Sequence, residues 1–373
     1  MKKILIPIIV VIIIIVAIAI FYKPAPKGTI KIGVILPLTG KVASYGQWAR
    51  NGFNLAIDEI NSLKNYPYHL ELIYEDDAGD SKTGVNAIQK LISVQNLSVV
   101  TGLISSRMAV ACAPIAEQNQ VVLLSTGASS DEIRNAGDYI FRVRESGIIH
   151  GQSAADYIWK KWNTAKIGVL YLNAESGITY ADALKKRFLE LGGQIDLYEA
   201  YNVGEIDFRT QLFKAKDKKI EILYVPGEAP EISQMLKQTK ELGLEIQFLS
   251  SPGAENPKLI EIVGAAAENL IYTYPAFNPD SSGEIVKQFT ARYLEKFGTK
   301  PEFIAANSYD AIKILADVFK KYGYKSDQIK DGLYKTQNYN GVSGNLSFDE
   351  YGDVIKPIMF KTVKNGQFVP YED

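Results

Sequence analysis

Hydroxyl-bearing residues stand where two apolar runs give out. Ser105-Ser106 closes LSVVTGLI, and Thr126-Gly127-Ala128-Ser129 closes QVVLLS. A serine or threonine at a helix start accepts hydrogen bonds from free backbone N–H groups. The same N–H groups, with the helix dipole, favour an anion. If both points face one cleft, they suit a carboxylate; if they do not, the serines only cap their helices. Ser129-Ser-Asp-Glu132 fits a capping box and predicts a helix start. Covalent chemistry has little to work with. There is no G-x-S-x-G elbow, no GxxxxGK[ST] phosphate cradle and no His–Asp pair at a predicted strand end. The single cysteine, Cys112, lies inside AVACAPIAEQ and reads as a small core residue. With His69 and His150 it makes no usual zinc site, and alone it closes no disulfide. No catalytic residue, cofactor or metal is expected.

These residues need a scaffold, and the chain supplies one. It has 373 residues, 47% hydrophobic and 22% charged, with net charge −1, enough for two lobes with a core each. The near-neutral balance offers no footprint for nucleic acid or an anionic membrane surface. Apolar runs alternate with amphipathic stretches: TIKIGVILPL, HLELIYEDD, LSVVTGLI and QVVLLST as strands, then AKIGVLYLN, IEILYVPG and EIQFLSS in a second round. In the first intervening helix Trp48, Gly52, Phe53, Ala56, Ile57 and Ile60 form one stripe, with Ser44 as N-cap. Such alternation predicts parallel sheets covered by helices on both faces, in two α/β lobes. Ligands of such sheets bind beyond the carboxyl ends of the strands, where Ser106 and Ser129 fall.

Ahead of this region, Lys2 and Lys3 precede an uncharged apolar run over residues 4–22, followed by Lys23. The run reaches the roughly 18 residues that span a bilayer. Ala17-Ile18-Ala19 would suit a signal peptidase but sits inside the run, so an uncleaved anchor is expected, with the remainder exported. KPAPKG follows as a short linker.

KIGVILPLTGKVASYGQWARNGFNLAIDEIN, IYEDDAGD, AVACAPIAEQNQVVLLSTGAS and GVSGNLSFDEYGDV, in that order, resemble the branched-chain amino-acid-binding (Leu/Ile/Val-binding) proteins of ABC transporters. The resemblance covers nearly all of the chain after the linker. It implies the type I periplasmic binding protein fold: two Rossmann-like lobes joined by three crossing segments, with ligand between them. The implied division is an anchor and linker at 1–26, a first lobe of 27–144 plus 275–350, and a second of 145–274 plus 351–373.

Carried over by position, Ser106 is expected to hold the ligand α-carboxylate, Gly127 to accept from the α-ammonium through its carbonyl, and Ser129 to contact both. Tyr45 is expected to line the first-lobe wall. Ser105 and Ala128, in the same two turns, are also expected to bind the ligand. The second lobe departs from the pattern: Ser176 stands where an aromatic residue is usual, Glu228 where a tyrosine is common, and Pro252 near the acid that should pair with the ammonium. An ammonium buried without a partner costs several kcal/mol. Either Glu228 or Glu255 supplies the charge, or the ligand has no ammonium. The implied function is an extracytoplasmic, monomeric solute-binding protein that delivers a small amino acid or carboxylate to an ABC permease. A membrane-tethered sensing domain acting through a partner is the alternative, and His150, near a crossing, reads as structural rather than catalytic.

Overall fold

Short runs of Val, Ile and Leu without polar interruption favour strands buried on both faces. The computed structural model, which describes residues 28–162 and 166–371, builds two large sheets from them. In the first, β1 (Thr29–Leu36), β2 (His69–Asp76), β3 (Val99–Gly102), β4 (Val122–Ser125) and β5 (Ile140–Arg142) are all parallel, in the order β2-β1-β3-β4-β5. The crossovers are α1 (Ala43–Ser62), α2 (Ser81–Ser93) and α3 (Ser106–Gln118). The expected stripe of α1 is buried, with Trp48 half-buried. Ser44 does not cap it: the helix begins at Ala43, and the capping position, Val42, makes no side-chain bond. The helix expected at Ser129 is a three-residue 3-10 turn, Asp131–Ile133, capped by Ser130 instead. Only six residues separate that turn from β5, and Gly137 takes a positive φ within them, so no helical turn can extend.

The second sheet has seven strands. β6 (Ile167–Leu172), β7 (Ile195–Tyr201), β8 (Ile222–Val225), β9 (Gln247–Ser250) and β10 (Ile271–Pro275) run parallel. They are linked by α5 (Glu175–Glu190), α6 (Arg209–Asp217), α7 (Ala229–Glu241) and α8 (Pro257–Val263), and α4 (Gly147–Trp162) leads in. A wholly parallel sheet was expected. Here β14 (Ile358–Lys364) joins β10 antiparallel, and β15 (Gln367–Pro370) joins β14 antiparallel because the tight turn at Asn365-Gly366 allows only that pairing. The edge strand β7 alternates half-exposed positions and lacks the apolar run by which the other parallel strands were read.

Between β10 and β14 the chain returns to the first sheet as α9 (Glu284–Phe297), α10 (Phe303–Lys321), α11 (Ser326–Tyr334) and a small antiparallel sheet, β11 (Tyr339–Gly341), β12 (Gly344–Phe348) and β13 (Val354–Ile355). α10 packs its apolar side against α1 and shares one core with β1, β4 and β5. The chain therefore passes between the sheets three times: after β5, after β10, and at Lys356–Pro357 between β13 and β14. The last passage lies a few residues beyond the expected start at 351, because Val354 and Ile355 still pair with β12. Lys356 is buried there, its ammonium donating to Asn307 Oδ1 (2.8 Å) and Ser343 Oγ (3.0 Å). Among the described residues no helix is long and apolar enough to cross a membrane, and the expected anchor at 4–22 lies outside them.

Candidate functional site

The carboxyl ends of β3 and β4 bring the two hydroxyl-bearing turns together. α3 starts at Ser106, and Ser106 Oγ accepts the backbone N–H groups of Ser129 (3.0 Å) and Ser130 (3.1 Å) from the neighbouring turn. A hydroxyl has two lone pairs and one proton. Both lone pairs are used, and no acceptor among the described residues takes the proton. Ser106 is thus a fixed donor at the N-terminus of a 13-residue helix, which suits a carboxylate. Ser129 is almost buried; its carbonyl accepts the N–H of Gly147 (2.8 Å), while its hydroxyl makes no hydrogen bond among the described residues. Gly127 packs so closely on Ile104 that a Cβ would lie 2.5 Å from the Ile104 carbonyl oxygen. Ala128 is fully buried and belongs to the core. Ser105 is exposed at the rim and its side chain caps nothing.

A buried arginine positions this turn from below. Arg142, at the end of β5, donates Nε and Nη2 to the two carboxylate oxygens of Asp353 (2.6 Å each) and Nη1 to the Ser130 carbonyl (2.7 Å). The pair is bidentate, which fixes direction as well as distance.

The other wall comes from the second sheet. Ser176, half-buried, lies in the first turn of α5; one turn on, Thr179 Oγ1 accepts the N–H of Asp131 (3.0 Å) from the opposite side. Glu228 occupies the capping position of α7, yet its side chain caps nothing and stays accessible inside the recess. Enclosure by protein, then repulsion from Glu231, pushes its carboxyl up to about 7, while Arg107 and Arg144 pull the other way. Pro252 is buried in a 3-10 turn, Pro252–Ala254, that abuts the Gly227–Glu228 backbone: a Cβ on Gly253 would lie 2.1 Å from the Gly227 carbonyl oxygen. Glu255 is placed differently. Lys361 Nζ and the Tyr272 hydroxyl donate to its two oxygens (2.6 Å each), so its charge is already balanced. Its neighbour Asn256 donates Nδ2 to the Tyr45 hydroxyl (3.1 Å), joining the walls, and Tyr45 meets Trp48 edge to face.

The structure therefore ties Ser106 to the Ser129–Ser130 turn, and links the two sides through Asp131–Thr179 and Asn256–Tyr45; Ser105 is exposed, Ala128 is in the core, and Glu255 is paired with Lys361. Arg144 went unread in the sequence. It is buried at the first crossing, with Nε 3.4 Å from Glu145 Oε2, Nη2 donating to the Tyr180 hydroxyl (3.4 Å), and the guanidinium over the ring of Phe303 (4.3 Å); Nη1 makes no hydrogen bond among the described residues. The signal was available: IFRVRE puts three charges into an otherwise apolar strand end. His150 is fully buried against Tyr180, and burial with Arg144 holds its pKa well below the usual value, so it stays neutral.

A family profile described as periplasmic binding protein matches residues 29–367. The chain is 30% identical over 343 residues to "Leu/Ile/Val-binding protein homolog 1" of Brucella suis biovar 1 (strain 1330), covering 90% of this chain and 91% of that protein. Among solved structures it is similar to a leucine binding protein LivK from Thermotoga maritima MSB8, with TM-score 0.86, 29% identity, and 92% and 98% of the two chains covered. It is also similar to the branched-chain amino acid transporter substrate binding protein LivJ from Streptococcus pneumoniae in complex with isoleucine, with TM-score 0.82, 26% identity, and 91% and 97% covered.

Proposed function

The chain belongs to the periplasmic binding protein family, and from that premise we propose that it is an extracytoplasmic solute-binding protein of an ABC transporter whose ligand is a small amino acid of the branched-chain kind. The observation that carries the reading is the pairing of opposite chemistries across one cleft: a fixed hydroxyl donor at a helix N-terminus, Ser106, and an acid with no partner of its own, Glu228. A zwitterion needs both. Ser106 and Ser129 take the α-carboxylate, the Gly127 carbonyl and Glu228 take the ammonium, and Tyr45 and Ser176 border the side chain. We assign 27–144 with 275–355 to one lobe and 145–274 with 358–373 to the other, so that binding favours the closed pairing of the two. Residues 4–22 tether a monomer to the membrane beside its permease.

The test is calorimetric titration of the full chain in detergent with leucine, serine and the 2-oxo acid of leucine, on wild type, Glu228→Gln and Glu255→Gln. Selective loss of the amino acids in Glu228→Gln, with Glu255→Gln close to wild type, is expected. Equal affinity for amino and oxo acids, unchanged in both variants, would mean that the ammonium is not recognised and the ligand is a plain carboxylate. N-terminal sequencing of the native protein tests the tether; a mature start near residue 20 or 23 refutes it.

A further inference from the structure

A second recess opens beside the cleft and shares none of its residues. It is a cavity of about 510 Å³ bounded on one side by Phe277–Asp280 and Pro301–Glu302, and on the other by α8, Tyr274 and the β14–β15 hairpin. The first side packs with the first sheet's core, and the second belongs to the seven-stranded sheet. Asn256, which donates to the Tyr45 hydroxyl, lies in the chain between the recess's lining residues Glu255 and Pro257.

Its walls are apolar, with Ile260, Phe277, Met359 and Phe368 among them, but its charge balance is not neutral. Two carboxylates in it are matched: Glu255 by Lys361, and Asp280 by Lys300 (2.6 Å). Glu261 and Glu302 have no such ion pair among the described residues, and of the two Glu261 is exposed to solvent. Glu302 is half-buried, caps α10 through its backbone alone, and receives no hydrogen bond from any described residue. The recess already shows how it treats an ammonium: Lys361 Nζ lies 4.5 Å from the centre of the Tyr274 ring while donating to Glu255.

We propose that this recess is a second binding site, for an organic ammonium whose charged head pairs with Glu302 and whose hydrocarbon part lies against Phe277, Met359 and Phe368. The half-buried carboxylate without an ion pair, Glu302, calls for a cation, and the surrounding rings favour an organic one over a hydrated metal ion. Burial, then repulsion from Glu255, pushes the Glu302 carboxyl up to about 7 against the pull of the Lys361 ammonium, and a further cation at the site offsets that repulsion. Because the walls come from both sides of the crossings, an occupant there responds to how the two lobes are set against each other.

The probe is benzylammonium, with benzyl alcohol as its neutral counterpart, titrated calorimetrically into the full chain in detergent, with and without saturating leucine. Wild type is expected to bind benzylammonium and at least tenfold more weakly the alcohol. Glu302→Gln is expected to lose about tenfold or more of the amine affinity. Glu228→Gln is expected to keep it, since Glu228 lies in the cleft. Phe277→Ala should weaken amine and alcohol together, and circular dichroism checks that each variant is folded. Simple competition with leucine, or loss in Glu228→Gln with retention in Glu302→Gln, would place the amine in the cleft and overturn the second site. Absence of amine binding to wild type overturns it as well. The titrations without leucine test the second site by themselves, so failure here and failure of the transport reading are separable.

Discussion

Ser106 and Ser129 look alike in the sequence but are built into the protein differently. Ser106 Oγ accepts two backbone N–H groups, so Ser106→Ala strands two buried donors and removes a ligand donor at once. A stability loss of about 1–3 kcal/mol is expected by urea denaturation, with at least tenfold weaker leucine binding. Ser129→Ala removes a hydroxyl that makes no hydrogen bond among the described residues, and is expected to weaken binding while leaving the urea midpoint near wild type. An unchanged midpoint in Ser106→Ala would show that its two hydrogen bonds are dispensable. Glu228 adds a pH signature. Only its carboxylate form pairs with an ammonium, and its carboxyl is raised to about 7, so leucine affinity should rise about tenfold from pH 6 to pH 8 and then level off. The Glu228→Gln profile should be flat. The sign for folding is opposite: an acid that holds its proton more tightly when folded takes stability away as pH climbs from the usual carboxylate range through about 7. The ligand-free Glu228→Gln protein should therefore melt higher than wild type at pH 8 and equally at pH 4.

At the scale of elements, the cleft depends on how closely α1 approaches α10, since α1 carries Tyr45 and α10 begins just after Glu302. Gly52 sets that distance: a Cβ there would lie 2.1 Å from the Ala305 carbonyl oxygen. A side chain cannot fit without separating the helices, and overpacking of this kind costs about 1–3 kcal/mol or more. Gly52→Ala is expected to lower the urea midpoint accordingly. A neutral result would mean that the helices slide apart freely. Arg142 has a comparable role between β5, the Ser129–Ser130 turn and the third crossing, and its two hydrogen bonds to Asp353 make one rigid unit of them.

Across the whole molecule, the hydrogen bonds that join the two sides away from the crossings include Asn256 to Tyr45 and Asp131 to Thr179. They exist only when the lobes are together, so they add to the closed arrangement and not to either lobe. Asn256→Ala is expected to weaken leucine binding about three- to tenfold with no change in the melting temperature of the ligand-free protein. In small-angle scattering, the variant should need more leucine than wild type to reach the compact form. Wild-type affinity in the variant would show that this contact does not contribute to closure.

What the sequence determined by itself was what depends on local pattern. Apolar runs ending in hydroxyls specified parallel α/β lobes and put Ser106 and Ser129 at strand ends, because helix and strand periodicities are properties of neighbouring residues. The Ser129 capping box was over-read for the same reason: the pattern was present, but the six residues to β5 left no room for a helix. The antiparallel β14–β15 hairpin, the pairing of Glu255 with Lys361, and the burial of Arg144 at the first crossing were decided by tertiary structure alone. Glu228 and Glu255 are both acids in loops after strands, and nothing within a few residues of Glu255 shows that Lys361, 106 positions away, neutralises it while Glu228 is left without a partner. Which charge is available to a ligand is settled by long-range pairing, and long-range pairing exists only in the folded chain.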